Sequence, residues 1–189
     1  MDKNEVQQAN PSTGASNLFR LWTEIIFHPK EALKREKSNA SFKKVLLNLF
    51  IAGLLWGLST AVLARLFMQA IGGFLIDAYP GFLLLFAIII GTISFVVEAL
   101  IFSGIVFLIA RAFKGRGNFI TQTYLISIIA IPLSIVSVSI ELIFWPLSLQ
   151  SGGLNSLSVI SFIPFWTINL IILVYGLYLL ISALKETHK

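Results

Sequence analysis

Four long apolar runs separated by short polar breaks dominate the chain, at about residues 42–66, 82–110, 119–144 and 159–184. Each exceeds the roughly 18 apolar residues that mark a spanning helix, and none alternates apolar and polar positions as a barrel strand does. The pattern predicts an all-α integral membrane protein with four transmembrane helices. A different pattern precedes them. Leu18, Leu21, Trp22, Ile25 and Ile26 recur at helical spacing, with Asn17, Arg20, Thr23 and Glu24 on the other side. About a dozen residues cannot span a bilayer, so this stretch is expected to be an N-terminal interfacial amphipathic helix with Trp22 at headgroup depth. Pro29 then suits the first position of a second, polar helix reaching Lys37. Three regions follow: a disordered polar tail over 1–15, cytoplasmic interfacial helices over 16–41, and a four-span domain over 42–189.

Composition sharpens the class. The chain is 57% hydrophobic and 12% charged, where soluble domains carry about a quarter charged residues. The net charge of +5 does not describe a nucleic-acid-binding face, because the basic residues cluster beside the spans. Their expected counterparts are anionic headgroups. Of the fourteen Lys and Arg, only Arg65 falls on the outer side, which places both termini in the cytoplasm by the positive-inside rule. The turn between the second and third runs carries Arg111, Lys114 and Arg116. Gly115 and Gly117 are expected to supply its positive φ angles, and Asn118 to cap the next helix. With no Cys in the chain, disulfides and thiolate metal sites are excluded.

No catalytic set is legible, and no cofactor or metal is expected. His28 lies beside the interface and His188 near the end of the chain, neither within a span and with no metal-binding spacing between them. Arg111, Lys114 and Arg116 are read first as a topogenic turn and second as a site for a lipid phosphate or a protein carboxylate. Gly53, Gly57 and Ala61 fall four apart, the spacing that lets helices approach closely; packing within the chain is the first reading and homodimerisation the second. Pro132, near the middle of the third run, is expected to kink it, and Pro164 to interrupt the fourth. Three charges sit at membrane depth. Arg65 and Glu141 lie at comparable height, where they either pair or snorkel to the headgroups. Glu98 lies thirteen residues before Arg111, about 20 Å inside at 1.5 Å rise per residue. It is expected to make a helix-packing hydrogen bond, with Ser127, Tyr124, Tyr175 and Asn169 as candidate partners.

Several segments together resemble a known family. They are Phe27-His-Pro-Lys-Glu-Ala-Leu before the first span, Arg111-Ala-Phe-Lys-Gly-Arg-Gly-Asn-Phe after the second, and Ile129-Ala-Ile-Pro inside the third. In order and spacing they are similar to the Yip1 domain family over about residues 27–178. That resemblance implies a multispan bundle; its eukaryotic members serve vesicle traffic and bind prenylated Rab GTPases. This chain lacks their Asp-Leu-Tyr-Gly-Pro entry and has four runs instead of five, so it looks like the compact prokaryotic branch and the Rab partner does not carry over. The expected function is a non-enzymatic membrane scaffold or adaptor, with protein partners or a homo-oligomer. The alternative is a small transporter or channel component built around Glu98.

Overall fold

The computed structural model describes residues 14–70, 80–150 and 156–188, with side chains over 19–65, 81–144 and 163–188. Two short helices, α1 (Gly14–Phe27) and α2 (Pro29–Glu36), lead through a 3-10 turn (Lys37–Asn39) into four long ones. These are α3 (Phe42–Ala70), α4 (Pro80–Ala112), α5 (Phe119–Gln150) and α6 (Ser156–Thr187). Each long helix contains a stretch long and apolar enough to cross a bilayer: Phe42–Arg65, Gly81–Ala112, Phe119–Phe144 and Ile163–Thr187. The chain is a multispan helical membrane protein. The polar tail expected over 1–15 lies outside the described residues as far as residue 13, and Gly14 and Ala15 already belong to α1. α5 continues through a buried Pro132, and α6 runs through Pro164 where an interruption was expected.

Lipid tails are as apolar as leucine, so the spans gain little from hiding apolar side chains from one another. Close backbone approach and hydrogen bonds take over. A Cβ added at Gly57 would stand 2.5 Å from the Ile88 carbonyl oxygen and 2.8 Å from Thr92 Oγ1, and one at Gly53 would stand 2.9 Å from Thr92 O. Gly53 and Gly57 therefore seat α4 directly on the α3 backbone, within the chain. Ala61, four residues further, is also buried. Between α3 and α5, two hydrogen bonds add to the apolar packing: Asn48 Nδ2 donates to Ser127 Oγ at 3.2 Å, and Ser59 Oγ donates to Glu141 Oε2 at 2.8 Å.

A buried apolar cluster sits at the end of the bundle where α1 and α2 close over it. Ile25, Leu33, Val45, Leu49, Leu125 and Leu179 are buried there together. Here the collar helices lie outside the apolar runs, so burial removes surface from water and the hydrophobic term returns.

Candidate functional site at the basic end of the bundle

The collar formed by α1 and α2 is fastened from three directions. The apolar stripe of α1 sends Ile25 fully into the bundle, with Leu21 packed against the same cluster. From α2, Ala32 and Leu33 enter it as well. Hydrogen bonds then tie the collar to the spans. Tyr175 of α6 donates its hydroxyl to the Ile26 carbonyl, Tyr124 of α5 donates to Glu36 Oε2 at 3.0 Å, and Lys37 Nζ reaches the Glu186 carbonyl at 2.5 Å. The last of these places a cation on a helix C-terminus, where the dipole favours it. Within the collar, Glu24 accepts from Arg20 Nε at 2.8 Å and from Arg35 Nη2 at 2.5 Å. The Arg35 bond first, then the Arg20 bond, holds the Glu24 carboxyl below its ordinary range.

The membrane face expected on α1 is thus divided. Ile25 is turned to protein, and Leu21, Trp22 and Ile26 are half-buried, while the Leu18 side chain lies outside the described ones. Burial on the span ends competes with lipid for the same stripe, and periodicity alone cannot rank the two. The aromatic groups left open are Phe19 and Phe27, at 66% and 73% exposure.

The basic turn closes by a Schellman arrangement at the end of α4. Gly115 N donates to Ala110 O and Lys114 N to Arg111 O, each at 2.9 Å. The left-handed position in this motif is most often glycine; here it is Lys114, with φ 64°. The two glycines serve another purpose than the positive φ expected of them. A Cβ on Gly117 would stand 2.7 Å from Thr187 Cγ2 and 2.8 Å from His188 Nδ1, and one on Gly115 would run into the same imidazole. They make room for His188. Asn118 caps α5 as expected, its Oδ1 accepting from Ile120 N at 2.8 Å.

His188 carries a network that spacing did not reveal. Its Nδ1 accepts from Gly117 N at 3.1 Å, so its Nε2 carries the proton and donates to Gln122 Oε1 at 2.8 Å. Gln122 Nε2 in turn donates to Ser103 O at 3.1 Å, and Ser103 Oγ meets Thr123 Oγ1 at 2.7 Å. The end of α6 is latched in this way to the turn, to α5 and to α4. Burial, then the charges of Arg111 and Lys37, push the His188 pKa below its usual value and favour the neutral ring that this geometry requires. One sequence signal pointed here: Gln122, at the start of an apolar run, needed a partner.

Beside the latch is a cavity of about 450 Å³ lined by Ala110, Phe113, Lys114, Gly115, Lys185 and His188. Arg111 lies over the Phe107 ring, 5.4 Å from its centroid, and both Arg111 and Arg116 are exposed. A second cavity, of about 330 Å³, opens between α5 and α6 at membrane depth and is lined by Ile129, Leu133, Ser137, Gly176 and Leu180 among others.

Of the three span charges, Arg65 and Glu141 do not pair among the described residues, and Glu98 departs from expectation. Glu141 bonds Ser59, and Arg65 is exposed and forms no ion pair among the described residues. Glu98 makes no packing hydrogen bond among the described residues: it is exposed on α4. Its four candidate partners are engaged elsewhere. Ser127 accepts from Asn48, Tyr124 bonds Glu36, Tyr175 bonds the Ile26 carbonyl, and Asn169 donates to Phe165 O. Neither cavity is lined by Glu98.

The family model of the Yip1 domain matches residues 23–189, which takes in the collar from Thr23, all four spans, the basic turn and His188. The chain belongs to the Yip1 domain family. No curated protein and no solved structure matches it.

Proposed function

Starting from a Yip1-domain membrane protein, we propose that this chain is a non-enzymatic membrane scaffold or adaptor whose collar receives a soluble partner at the cytoplasmic surface. One observation carries the reading. The collar is built into the bundle through Ile25, Ala32 and Leu33 and through three hydrogen bonds to α5 and α6. A rigid platform holds a partner at a fixed place and angle, which a flexible tail does not. Lys30 and Lys34 on its outer side are exposed. Both termini lie in the cytoplasm in this reading, because the basic turn, the collar and Lys185 gather at one end of the spans. Arg111, Lys114 and Arg116, with the open rings of Phe19, Phe27 and Phe113, rest on anionic headgroups. The transporter alternative around Glu98 is not supported by either of the two cavities described above, neither of which Glu98 lines.

Two measurements test this. The chain has no native Cys, so single cysteines report sidedness directly. Cysteine at Lys34 or Arg116 should be shielded from an impermeant thiol reagent in intact cells, and cysteine at Arg65 should react; the reverse pattern overturns the orientation. A photo-crosslinking residue at Lys30 or Lys34 should trap discrete protein adducts in cells that the same residue at Leu173 does not. Identical adduct patterns at the three positions, together with ion flux through purified protein in liposomes, would replace the adaptor with a transporter.

A further inference from the structure

The outward face of α4 carries an acid, Glu98, that no side chain among the described residues satisfies. Ser94, Glu98, Ile101, Ile105 and Leu108 are all exposed, the last three at 57%, 52% and 68%. Their spacing is four, three, four, three, the 3.5-residue repeat of a helix seam. This stripe lies opposite the face on which Ile88 and Thr92 meet Gly53 and Gly57 of α3. Of the four spans, α4 is also the least buried within the chain. Exposed isoleucine and leucine are ordinary toward lipid. Glu98 is not: about 20 Å of helix separates it from Arg111, farther than a glutamate side chain reaches. A carboxyl group in hydrocarbon requires a hydrogen-bonding partner.

We propose that two copies of this chain pair along this stripe, with Glu98 at its centre meeting Glu98 of the second copy. The argument for a second copy rests on geometry and on the chemistry of the group. Copies inserted with the same orientation are related by an axis along the membrane normal, so each residue on the seam meets its own equivalent at equal depth. A carboxylic acid offers both a donor and an acceptor, and two of them satisfy each other. A foreign helix would need its own polar residue at that level. Ser94, one turn away, adds a hydroxyl to the same seam. The other charged span residues do not compete for Glu98, since Glu141 is held by Ser59 and Arg65 lies near the opposite end of α3.

The test uses the full chain in lipid vesicles. Single cysteines at Ser94 and Ile101 should form disulfide-linked dimers under mild oxidation, and a cysteine at Leu173, exposed on α6, should not. Energy transfer between labelled copies then reads the dimer dissociation constant. Glu98→Leu should raise it about tenfold, while Glu98→Gln, whose amide also donates and accepts, should leave it within about threefold. Because Glu98 faces outward, both variants should keep the wild-type unfolding midpoint when all three are compared as monomers at high dilution in detergent, which reads the fold separately from the dimer. Equal crosslinking at Leu173, or an unchanged dissociation constant in Glu98→Leu, overturns the proposal. Monomers in vesicles whose Ser94 cysteine crosslinks a different protein in native membranes would overturn it in favour of a foreign helix.

Discussion

Gly57→Ala measures how α3 and α4 are held together. The new methyl would stand 2.5 Å from the Ile88 carbonyl oxygen, 2.8 Å from Thr92 Oγ1 and 3.2 Å from Thr92 N. Ordinary contact begins at 3.4 Å, so the shortfall against Ile88 is 3.4 − 2.5 = 0.9 Å. Two of the three atoms are backbone, and α4 must move as a body. A gap of about 0.5–1 Å forfeits a quarter to a half of each dispersion contact along the seam. Overpacking of this kind costs about 1–3 kcal/mol, and an immovable backbone places Gly57 at the upper end. Alanine recovers about 1 kcal/mol over glycine in a helix interior, which leaves a net loss of about 2 kcal/mol. Gly104 on α4 is the internal control, because a Cβ there meets nothing within 4 Å. Gly104→Ala should gain about 1 kcal/mol from propensity alone. Denaturant unfolding of both variants in one detergent should separate them by about 3 kcal/mol. If Gly57→Ala unfolds at or above the wild-type midpoint, or the two variants shift together, the close contact described here is wrong.

Two further predictions concern the basic turn. Lys114→Gly relieves a left-handed lysine whose conformation costs about 1–2 kcal/mol, partly offset by the entropy of glycine, and should raise the thermal midpoint. Gly115→Ala, whose Cβ would stand 2.7 Å from Ala110 O, should lower it. His188 gives a pH dependence with a definite sign: its folded pKa is depressed below the ordinary imidazole value of about 6.5, so its stabilisation is present above about pH 6.5 and fades as pH falls through the folded value. Hydrogen exchange at the Gly117 amide reads the latch directly. Protection relative to His188→Ala should be complete at pH 8 and fall on acidification to a value below the ordinary imidazole range, and protection that shows no fall with pH while the rest of the protein stays folded would exclude the neutral-ring geometry.

What was legible in advance depended on whether a local pattern carried the information. The four spans were readable because length and apolarity suffice for them. A face of α3 suited to close approach was readable too, because residues four apart share a helix face and Gly53 and Gly57 leave it flat; that α4 fills it was not. The docking of α1 was not. Its periodicity shows that one side must be covered without distinguishing lipid from the ends of α5 and α6. His188 was hidden for a different reason. Its partners Gln122 and Gly117 lie 66 and 71 residues away, and a lone histidine near the end of a chain has no spacing to match. Its trace was indirect: two glycines in a turn that needs neither for positive φ, beside a glutamine that needs a partner.

Glu98 separates the two coordinates of a residue in a membrane helix. Depth follows from counting along the chain, and the count placed the acid correctly inside the apolar run. Azimuth does not, because it depends on which neighbour claims which face of the helix. Ser127, Tyr124, Tyr175 and Asn169 were matched to Glu98 by depth alone, yet each has a nearer partner in α3, the collar or its own helix. Once Gly53 and Gly57 seat the Thr92 face of α4 against α3, the helical period alone turns Glu98 away from the bundle, since six residues further along is 600°, or 240° net. The close approach on one face and the stranded acid on the other are consequences of a single packing choice. The Gly57 substitution and the Ser94 and Ile101 crosslinks therefore examine the same helix rotation from opposite sides.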